Sequence, residues 1–428
     1  MSILKDLPEL VSANVITNDI ARQITEYYRR KQVTSPNRQL LIFGILGALL
    51  VGIGIMFIIA NQWDELPLTV KTVCAFLLLI VPQLLCIYVL LKKQDKVVWK
   101  ESVALLLFFA VGANISLISQ IYNINGEMSS FILTWMVLTV PLVYLLNSSA
   151  VSLAYFFCIM IYSFAARYNS RFPSEEYIYW VLFVLPLPRY FRLFNKSGEV
   201  LTVLHHWLIP FILTVTLTIL SHGSKMLMHP AYIFMFGIFY FVGVSPILRN
   251  RPLIQNGYLI FGFAGTIISL LVMSFKSSWK AMSDQHYQLN NLIIAPEFIA
   301  CAILFILASI LLYSQNKIKR FSEWKLIEVA YLLFLMIFIL GIWFPSQSVM
   351  LVNLLVFVLG LLMLREGTKL SHLGVLNTGM LVIALLVICR CFDTDLTLFI
   401  KGTLCVLVGI GFFAANWIMI KKRKENES

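Results

Sequence analysis

The sequence predicts an all-α fold: a polytopic membrane protein with about 14 transmembrane helices and a short cytoplasmic N-terminal helical segment. The first observation is composition. Of the 428 residues, 60% are hydrophobic and only 13% are charged, whereas a soluble domain carries about 25% charged residues. A water-soluble fold could not bury so much apolar surface, so the excess must face lipid.

The second observation is that the apolar residues form runs of membrane length, about 17–25 residues each. The predicted spans are 40–60, 69–91, 102–121, 130–146, 149–166, 177–192, 203–221, 230–247, 254–275, 293–314, 325–342, 347–364, 372–390 and 396–420. The run at 177–192 is the weakest, because Pro186 and Pro188 interrupt it.

The third observation is that Lys and Arg fall in alternate loops, which is typical of cytoplasmic loops. The formal net charge of +12 could also indicate a protein that binds nucleic acid. Here, however, the basic residues lie in short loops between apolar runs, which indicates the orientation of the chain in the membrane, so we expect no nucleic-acid binding. The basic loops contain Lys92, Lys93, Lys96 and Lys100; Arg189, Arg192 and Lys196; Arg249 and Arg251; Lys317, Lys319, Arg320 and Lys325; Arg365 and Lys369; and Lys421 to Lys424. Both termini are therefore expected in the cytoplasm.

The chain divides by composition into three parts. Residues 1–39 are polar, and Thr17 is placed to cap a helix over the segment NDIARQITEYYRRKQ. Residues 40–166 form a first set of membrane helices, and residues 167–428 form a C-terminal helix bundle.

A polar segment follows the first span, where FIIANQWDELP contains Asn61, Trp63, Asp64 and Glu65. One interpretation is structural: Trp63 anchors the interface and a carboxylate caps the next helix, which begins near Pro67. The other is functional: an external carboxylate pair that binds a proton, a cation or a sugar.

The third span carries a polar stripe. Its members are Asn114 and, within about 80° on a helical wheel, Gly112, Ser116, Ser119, Gln120 and Asn123. Polar residues in a span face the bundle interior or a cavity. The stripe predicts either hydrogen bonds between helices or a surface that lines a substrate path.

Four ionisable residues lie close together in the segment CRCFDTDLTLFIK, namely Arg390, Asp393, Asp395 and Lys401. A lone ammonium inside a span is unfavourable. We expect Lys401 to pair with Asp393 or Asp395 and Arg390 to take the other carboxylate, in a structural or a functional role.

We expect no metal and no cofactor. The seven cysteines lie in or beside apolar runs, as small buried hydrophobes do. His205 and His206 are expected to be interfacial polar residues. No phosphate-binding loop or hydrolase motif is present in the sequence.

Several of these segments together resemble a known family. GALLVGIGIMFIIANQWDELPLTVK, GANISLISQIYNINGE and WMVLTVPLVYLLNS resemble the DUF2157 family of bacterial membrane proteins, over roughly residues 8–165. Gln62 departs from the family pattern, since it is inserted between Asn61 and Trp63. The resemblance implies a multi-pass protein of the bacterial inner membrane, with the lipid bilayer as its surroundings, and it assigns no substrate or catalytic residue.

Three functions are compatible with these features. The first is a transporter or flippase of a small polar or lipid-linked substrate, because the chain lacks room for a soluble domain and has polar residues within its spans. The second is a non-catalytic membrane scaffold or envelope-stress partner. The third is a membrane-embedded enzyme that acts on a lipid-linked substrate through Asp64 and Glu65. The oligomeric state is left open.

The topology is testable with a reporter that is active only outside the cytoplasm. Fusions after Asp64, Glu127 or Asp284 should give signal, and fusions after Lys96 or Arg251 should not, because basic loops stay in the cytoplasm. A fusion at the C-terminus should also be silent. Signal there would mean that the number of crossings is odd.

Overall fold

The structure is a computed structural model. It describes residues 3–13, 15–34, 38–61, 67–169, 175–194, 199–220, 225–283, 295–317, 323–370, 372–393 and 397–427. These residues form helices and connecting turns with no strand among them, so the predicted all-α class is confirmed. Packing divides the chain into two compact units, residues 1–205 and residues 206–428.

The first unit begins with two short helices and continues with long apolar ones. Its helices are α1 (Ile3–Ser12), α2 (Asn18–Thr34), α3 (Arg38–Asn61), α4 (Leu68–Lys92), α5 (Val97–Ile121), α6 (Met128–Leu145), α7 (Ser149–Asn169), α8 (Glu175–Val184), α9 (Leu187–Phe194) and the first residues of α10 (Val200–Thr216).

The second unit contains the rest of α10 and the following helices. They are α11 (Lys225–Val244), α12 (Gly257–Met273), α13 (Lys276–Ser283), α14 (Pro296–Asn316), α15 (Leu326–Trp343), α16 (Pro345–Lys369), α17 (Leu373–Asp393) and α18 (Leu398–Glu427). Two 3₁₀ turns, Leu217–Leu220 and Leu253–Gln255, lie after α10 and before α12.

Among the described residues, ten helices are long and apolar enough to cross a membrane, and three shorter apolar stretches occur at Ile42–Gly54, Gly257–Met273 and Phe399–Ala414. Each predicted span thus corresponds to helical structure. One run is not a single helix: the predicted span 177–192 is divided into α8 and α9 by a break at Leu185 and Pro186.

The broken segment nevertheless runs back along α7. Phe183 of α8 packs against Phe156, with ring centroids 5.6 Å apart. Beyond the break, Arg189 of α9 reaches Ser149, the first residue of α7, at 3.2 Å. At 1.5 Å per helical residue, the chain from Glu175 to Phe194 covers about 30 Å, which is the thickness of the hydrocarbon core of a bilayer. The segment therefore has the length of a crossing, and the count of about 14 spans stays a prediction.

The N-terminal helix is confirmed where the sequence placed it. α2 begins at Asn18, and the backbone N–H of Ile20 donates to Thr17 Oγ1 at 3.4 Å, as an N-cap does. α1, which precedes it, was not predicted. Its Leu7 is 5% exposed.

Small residues set the closest approaches between helices. A Cβ on Gly262 of α12 would lie 2.2 Å from the backbone N of Tyr240 in α11. On α3, a Cβ on Gly44 would meet Ser102 Oγ of α5 at 2.8 Å, and Gly52 faces Phe109 of the same helix at 3.8 Å. Gly44 and Gly52 of α3 therefore pack against α5.

The α11–α12 contact gives a stability prediction. Gly262→Val should lower the melting temperature of the purified protein in detergent, because overpacking against backbone costs about 1–3 kcal/mol or more. Gly409→Ala is the matched control, since no atom lies within 4 Å of a Cβ at Gly409. Equal melting of the two variants would contradict the packing described here.

Candidate functional site

A polar cavity of about 860 Å³ lies between the end of α5 and the start of α6. Its lining contains these polar residues: Asn114, Ser116, Ser119, Gln120, Glu127, Ser130 and Thr134. Asn114, Ser116, Ser119 and Gln120 were candidates from the sequence, and the structure brings them to this one cavity. Gly112 and Asn123, the remaining stripe residues, do not line it.

The wall of the cavity is fixed by contacts between α5 and α6. A Cβ on Gly112 would lie 2.5 Å from Cε2 of Trp135, so only glycine lets the indole lie against α5. Trp135 Nε1 donates to the carbonyl oxygen of Phe108 at 2.7 Å. Gly112 is therefore a packing residue.

The floor of the cavity depends on how α5 ends. Asn123 has a φ of 48°, the left-handed conformation that asparagine tolerates at helix ends. The N–H of Ile124 then donates back to the carbonyl of Ser119 at 2.9 Å, and Ser119 Oγ donates to the carbonyl of Ile124 at 2.7 Å. Asn123 belongs to this cap and not to the helical stripe.

Several polar groups of the cavity have no protein partner. Asn114 Nδ2 is used, since it donates to the carbonyl of Ala75 in α4 at 2.6 Å. By contrast, the hydroxyl groups of Ser116 and Ser130 and the amide of Gln120 make no hydrogen bond with any residue that the structure describes. These groups are available to water or to a ligand.

The charge of the lining is simple. Glu127 is its one ionisable side chain among the described residues. The described lining residues include no Lys or Arg.

The residues of the Asn61–Glu65 segment are only partly described. Asn61 is the last residue of α3, and Trp63, Asp64 and Glu65 lie outside the described residues. Their predicted roles stay predictions.

A second polar cluster lies at the opposite end of α5, around Glu101. This side chain is 3% exposed. Its carboxylate accepts hydrogen bonds from the backbone N–H groups of Ser149 and Ala150, both at 2.9 Å, and from Ser148 Oγ at 2.5 Å. Glu101 thus caps α7 from a neighbouring helix, where the first N–H groups lack helical partners.

The turn that precedes α7 is completed by an arginine. Arg189 Nη2 donates to the carbonyl of Asn147, which has a φ of 49° and follows Leu146, the C-cap of α6. The same nitrogen reaches Ser149 Oγ at 3.2 Å. The Glu101 carboxylate and the Arg189 guanidinium therefore bind the two helix ends that meet at this tight turn.

His205 extends the Glu101 cluster. Its Nδ1 donates to the carbonyl of Leu201 at 2.6 Å, and its Nε2 lies 3.1 Å from Ser152 Oγ. The ring stacks on Tyr190, with centroids 5.7 Å apart. His205 and His206 are both 0% exposed, so each is buried against protein, and their predicted place at the membrane interface stays a prediction.

In the second unit, the predicted Arg390 cluster forms in part. Arg390 Nη1 and Asp393 Oδ2 are 2.9 Å apart, and Asp393 also accepts from the backbone N–H of Lys276 at 3.2 Å. Arg390 donates to both oxygens of Ser274. The Asp393 carboxylate therefore binds both the Arg390 guanidinium and the first backbone N–H of α13.

Lys401 makes no ion pair with a described residue. Its other predicted partner, Asp395, lies outside the described residues. With Asp393 bound by Arg390, the Lys401–Asp395 pair is the alternative that stays a prediction.

A separate cavity of about 530 Å³ lies among α10, α11 and α12 in the second unit. Its lining is apolar apart from Thr214, His229, Tyr232 and Ser269, and Tyr232 donates its hydroxyl to the carbonyl of Thr214 at 3.0 Å. Across the described residues, no three His, Cys, Asp or Glu side chains are grouped as metal ligands.

The sequence interpretation missed the Glu101 cluster. The predicted span begins at residue 102, which places Glu101 just outside its edge, and Arg189 is predicted to lie in a basic loop. A usable signal was present, because Asn147-Ser148-Ser149 is a helix stop followed by an N-cap. The acid that completes this cap is distant in sequence and has no local signature.

Comparison with known proteins agrees with this description. Residues 8–152 match a family model described as "Predicted membrane protein (DUF2157)". The chain is a multi-pass membrane protein with DUF2157 resemblance. Neither a curated protein nor a solved structure matches it. The matched region includes Glu101 and the α5–α6 cavity.

The Glu101 cap can be tested by stability. Glu101→Gln should destabilise the protein by about 1–3 kcal/mol, because one oxygen becomes an NH₂ group that faces donors. Thermal unfolding in detergent measures this, with exposed Glu323→Gln as the matched control. An unchanged melting temperature for Glu101→Gln would show that α7 does not depend on the cap.

Proposed function

We propose that this protein is a transporter or flippase of the bacterial inner membrane, with both termini in the cytoplasm, and that it binds a small polar or lipid-linked substrate in the α5–α6 cavity. The observation that carries the proposal is the set of unpartnered polar groups on Ser116, Gln120 and Ser130 in a cavity of ligand size. Polar groups within membrane spans are costly and mark substrate paths, and binding pockets typically have volumes of about 300–1,000 Å³.

The alternatives have less support. A scaffold needs polar groups that are satisfied by packing, as Asn114 is by Ala75, whereas Ser116 and Gln120 are not. An enzyme would depend on the Asp64 and Glu65 pair. The described lining of the cavity contains one carboxylate, that of Glu127.

The first two turns of α4 contact the end of α5. The hydroxyl oxygens of Thr72 and Tyr122 are 3.5 Å apart, and Ala75 packs with Ile121. α4 begins at Leu68, soon after residues 61–65 in the sequence, and this closeness in sequence supports a shared role for the two groups of candidate residues.

The test is metabolite and lipid profiling of a deletion strain. Wild-type protein should restore the profile, and a Ser116→Leu, Gln120→Leu double variant should restore it about tenfold less or worse, because two hydrogen-bonding groups of about 0.5–1.5 kcal/mol each are lost. The control is Gln94→Leu with Thr403→Leu, two exposed residues that do not line the cavity.

Protein amounts and melting temperatures must match before the profiles are compared. Full restoration by the double cavity variant would overturn the proposal and favour a scaffold.

A further inference from the structure

The cavity of about 530 Å³ in the second unit, called the α10–α12 cavity from here on, is lined by aromatic rings from three helices. Trp207 of α10 and Phe261 of α12 lie edge to face, with ring centroids 6.0 Å apart. Tyr232 and Phe236, both in α11, stack with centroids 5.9 Å apart. A flat ring in this cavity would therefore have aromatic neighbours to pack against.

The contacts between α11 and α12 fix which lining residues face each other. A Cβ on Gly262 would overlap the backbone of Tyr240, and a Cβ on Gly265 would overlap the ring of Phe236. As the residue number rises along α12 it falls along α11, so the two helices are antiparallel. The next turn of α12 therefore lies beside the preceding turn of α11.

This register gathers the polar residues of the cavity at one end. Ser269 is one turn beyond Gly265, which places it beside Tyr232, and His229 is about one turn further along α11. The hydroxyl of Tyr232 donates to the carbonyl of Thr214, in the last turn of α10, at 3.0 Å. The cavity thus has a polar end, and the rings of Trp207 and Phe261 lie away from it.

Two of these polar side chains have no protein partner. Thr214 Oγ1 donates to the carbonyl of Pro210 at 2.7 Å, and Tyr232 is used as described. By contrast, the imidazole of His229 and the hydroxyl of Ser269 make no hydrogen bond with any residue that the structure describes. Both can donate a hydrogen bond, and a polar group in apolar surroundings is stabilised when it finds a partner.

The cavity opens on the apolar surface of α12. Ile268 and Val272 line it, yet they are 59% and 45% exposed. α12 is an apolar helix throughout Gly257–Met273, so in a membrane these side chains face hydrocarbon. A ligand that enters here is therefore soluble in lipid.

We propose that the α10–α12 cavity binds a lipid-soluble quinone. The ring occupies the polar end beside Tyr232, and its carbonyl oxygens accept hydrogen bonds from His229 and Ser269. The tail extends along the cavity towards Trp207 and Phe261. The cavity lies within the second unit, so this site does not rest on the function proposed for the α5–α6 cavity.

Other components of a membrane use fewer features of this lining. A free acyl chain leaves His229 and Ser269 unpaired, and an isoprenoid alcohol has one oxygen and no flat ring. A phospholipid brings a phosphate, whereas the described lining residues include no Lys or Arg. A quinone supplies two acceptors, a flat ring and an apolar tail together.

The probe is a decylbenzoquinone that carries a photoreactive azide on its ring. The full-length protein is placed in phosphatidylcholine vesicles and irradiated, and the labelled peptides are mapped. Label is expected in α11 and α12. Unlabelled decylbenzoquinone should compete about tenfold better than decylbenzene or farnesol, because decylbenzene makes neither hydrogen bond and farnesol cannot make both.

Two variants that fill the cavity locate the bound ring and tail. Ala264→Leu and Val272→Trp each add volume to a lining residue, so labelling should fall to the level seen with excess decylbenzoquinone. Ala414→Leu is the matched control, because Ala414 is exposed in α18 and does not line the cavity. It should label as the wild-type protein does.

The two donors are tested by what they discriminate. His229→Phe with Ser269→Ala should remove the preference for decylbenzoquinone over decylbenzene, because neither variant side chain donates a hydrogen bond. His229→Gln alone should keep most of the preference, since the amide still donates. Melting temperatures in detergent must match the wild-type value before labelling is compared.

Three results would overturn the inference. Equal competition by decylbenzene would show that the cavity holds apolar chains without using its donors. Equal competition by farnesol would assign it to an isoprenoid alcohol. Undiminished labelling of both folded cavity-filling variants would place the quinone elsewhere. None of these results bears on the deletion-strain test of the α5–α6 cavity, so the two proposals can fail separately.

Discussion

Helix ends leave backbone N–H and C=O groups without partners, and hydrocarbon offers none. The protein meets this constraint at two short connections with an acid and an arginine. Between α6 and α7, Glu101 binds the N–H groups and Arg189 binds a carbonyl. Between α12 and α13, Asp393 binds the N–H of Lys276 and Arg390 binds the carbonyl of Ser274. The tight turns depend on these side chains from other helices.

In both cases the sign of each charge suits the helix end that it contacts, since N-termini are partly positive and C-termini partly negative. These ionisable residues are therefore explained by the fold, and they need no substrate. The α5–α6 cavity differs from these two clusters, because Ser116 and Gln120 have no comparable partner among the described residues.

The positions of the helices could be predicted from the sequence because apolar runs and basic loops report directly on membrane crossing. The polar face of α5 could be predicted too, since helical periodicity places Ser116, Ser119 and Gln120 together. Other features depend on contacts that are remote in sequence. Which of the two aspartates Arg390 binds depends on α13, whose Lys276 N–H also contacts Asp393, and Glu101 contacts a turn 47 residues away. The same limit applied to His205, whose burial comes from Tyr190 and Ser152.

The two polar regions of α5 differ in a way that bears on the proposed mechanism. At the Glu101 end, Ser148 and Ser149 are buried and hydrogen-bonded to the carboxylate, so this end is closed by a satisfied network. At the other end, Gln120 is exposed to the cavity. In the proposed function, the polar groups at the Gln120 end are therefore the ones available to a substrate, whereas those around Glu101 are occupied by the fold.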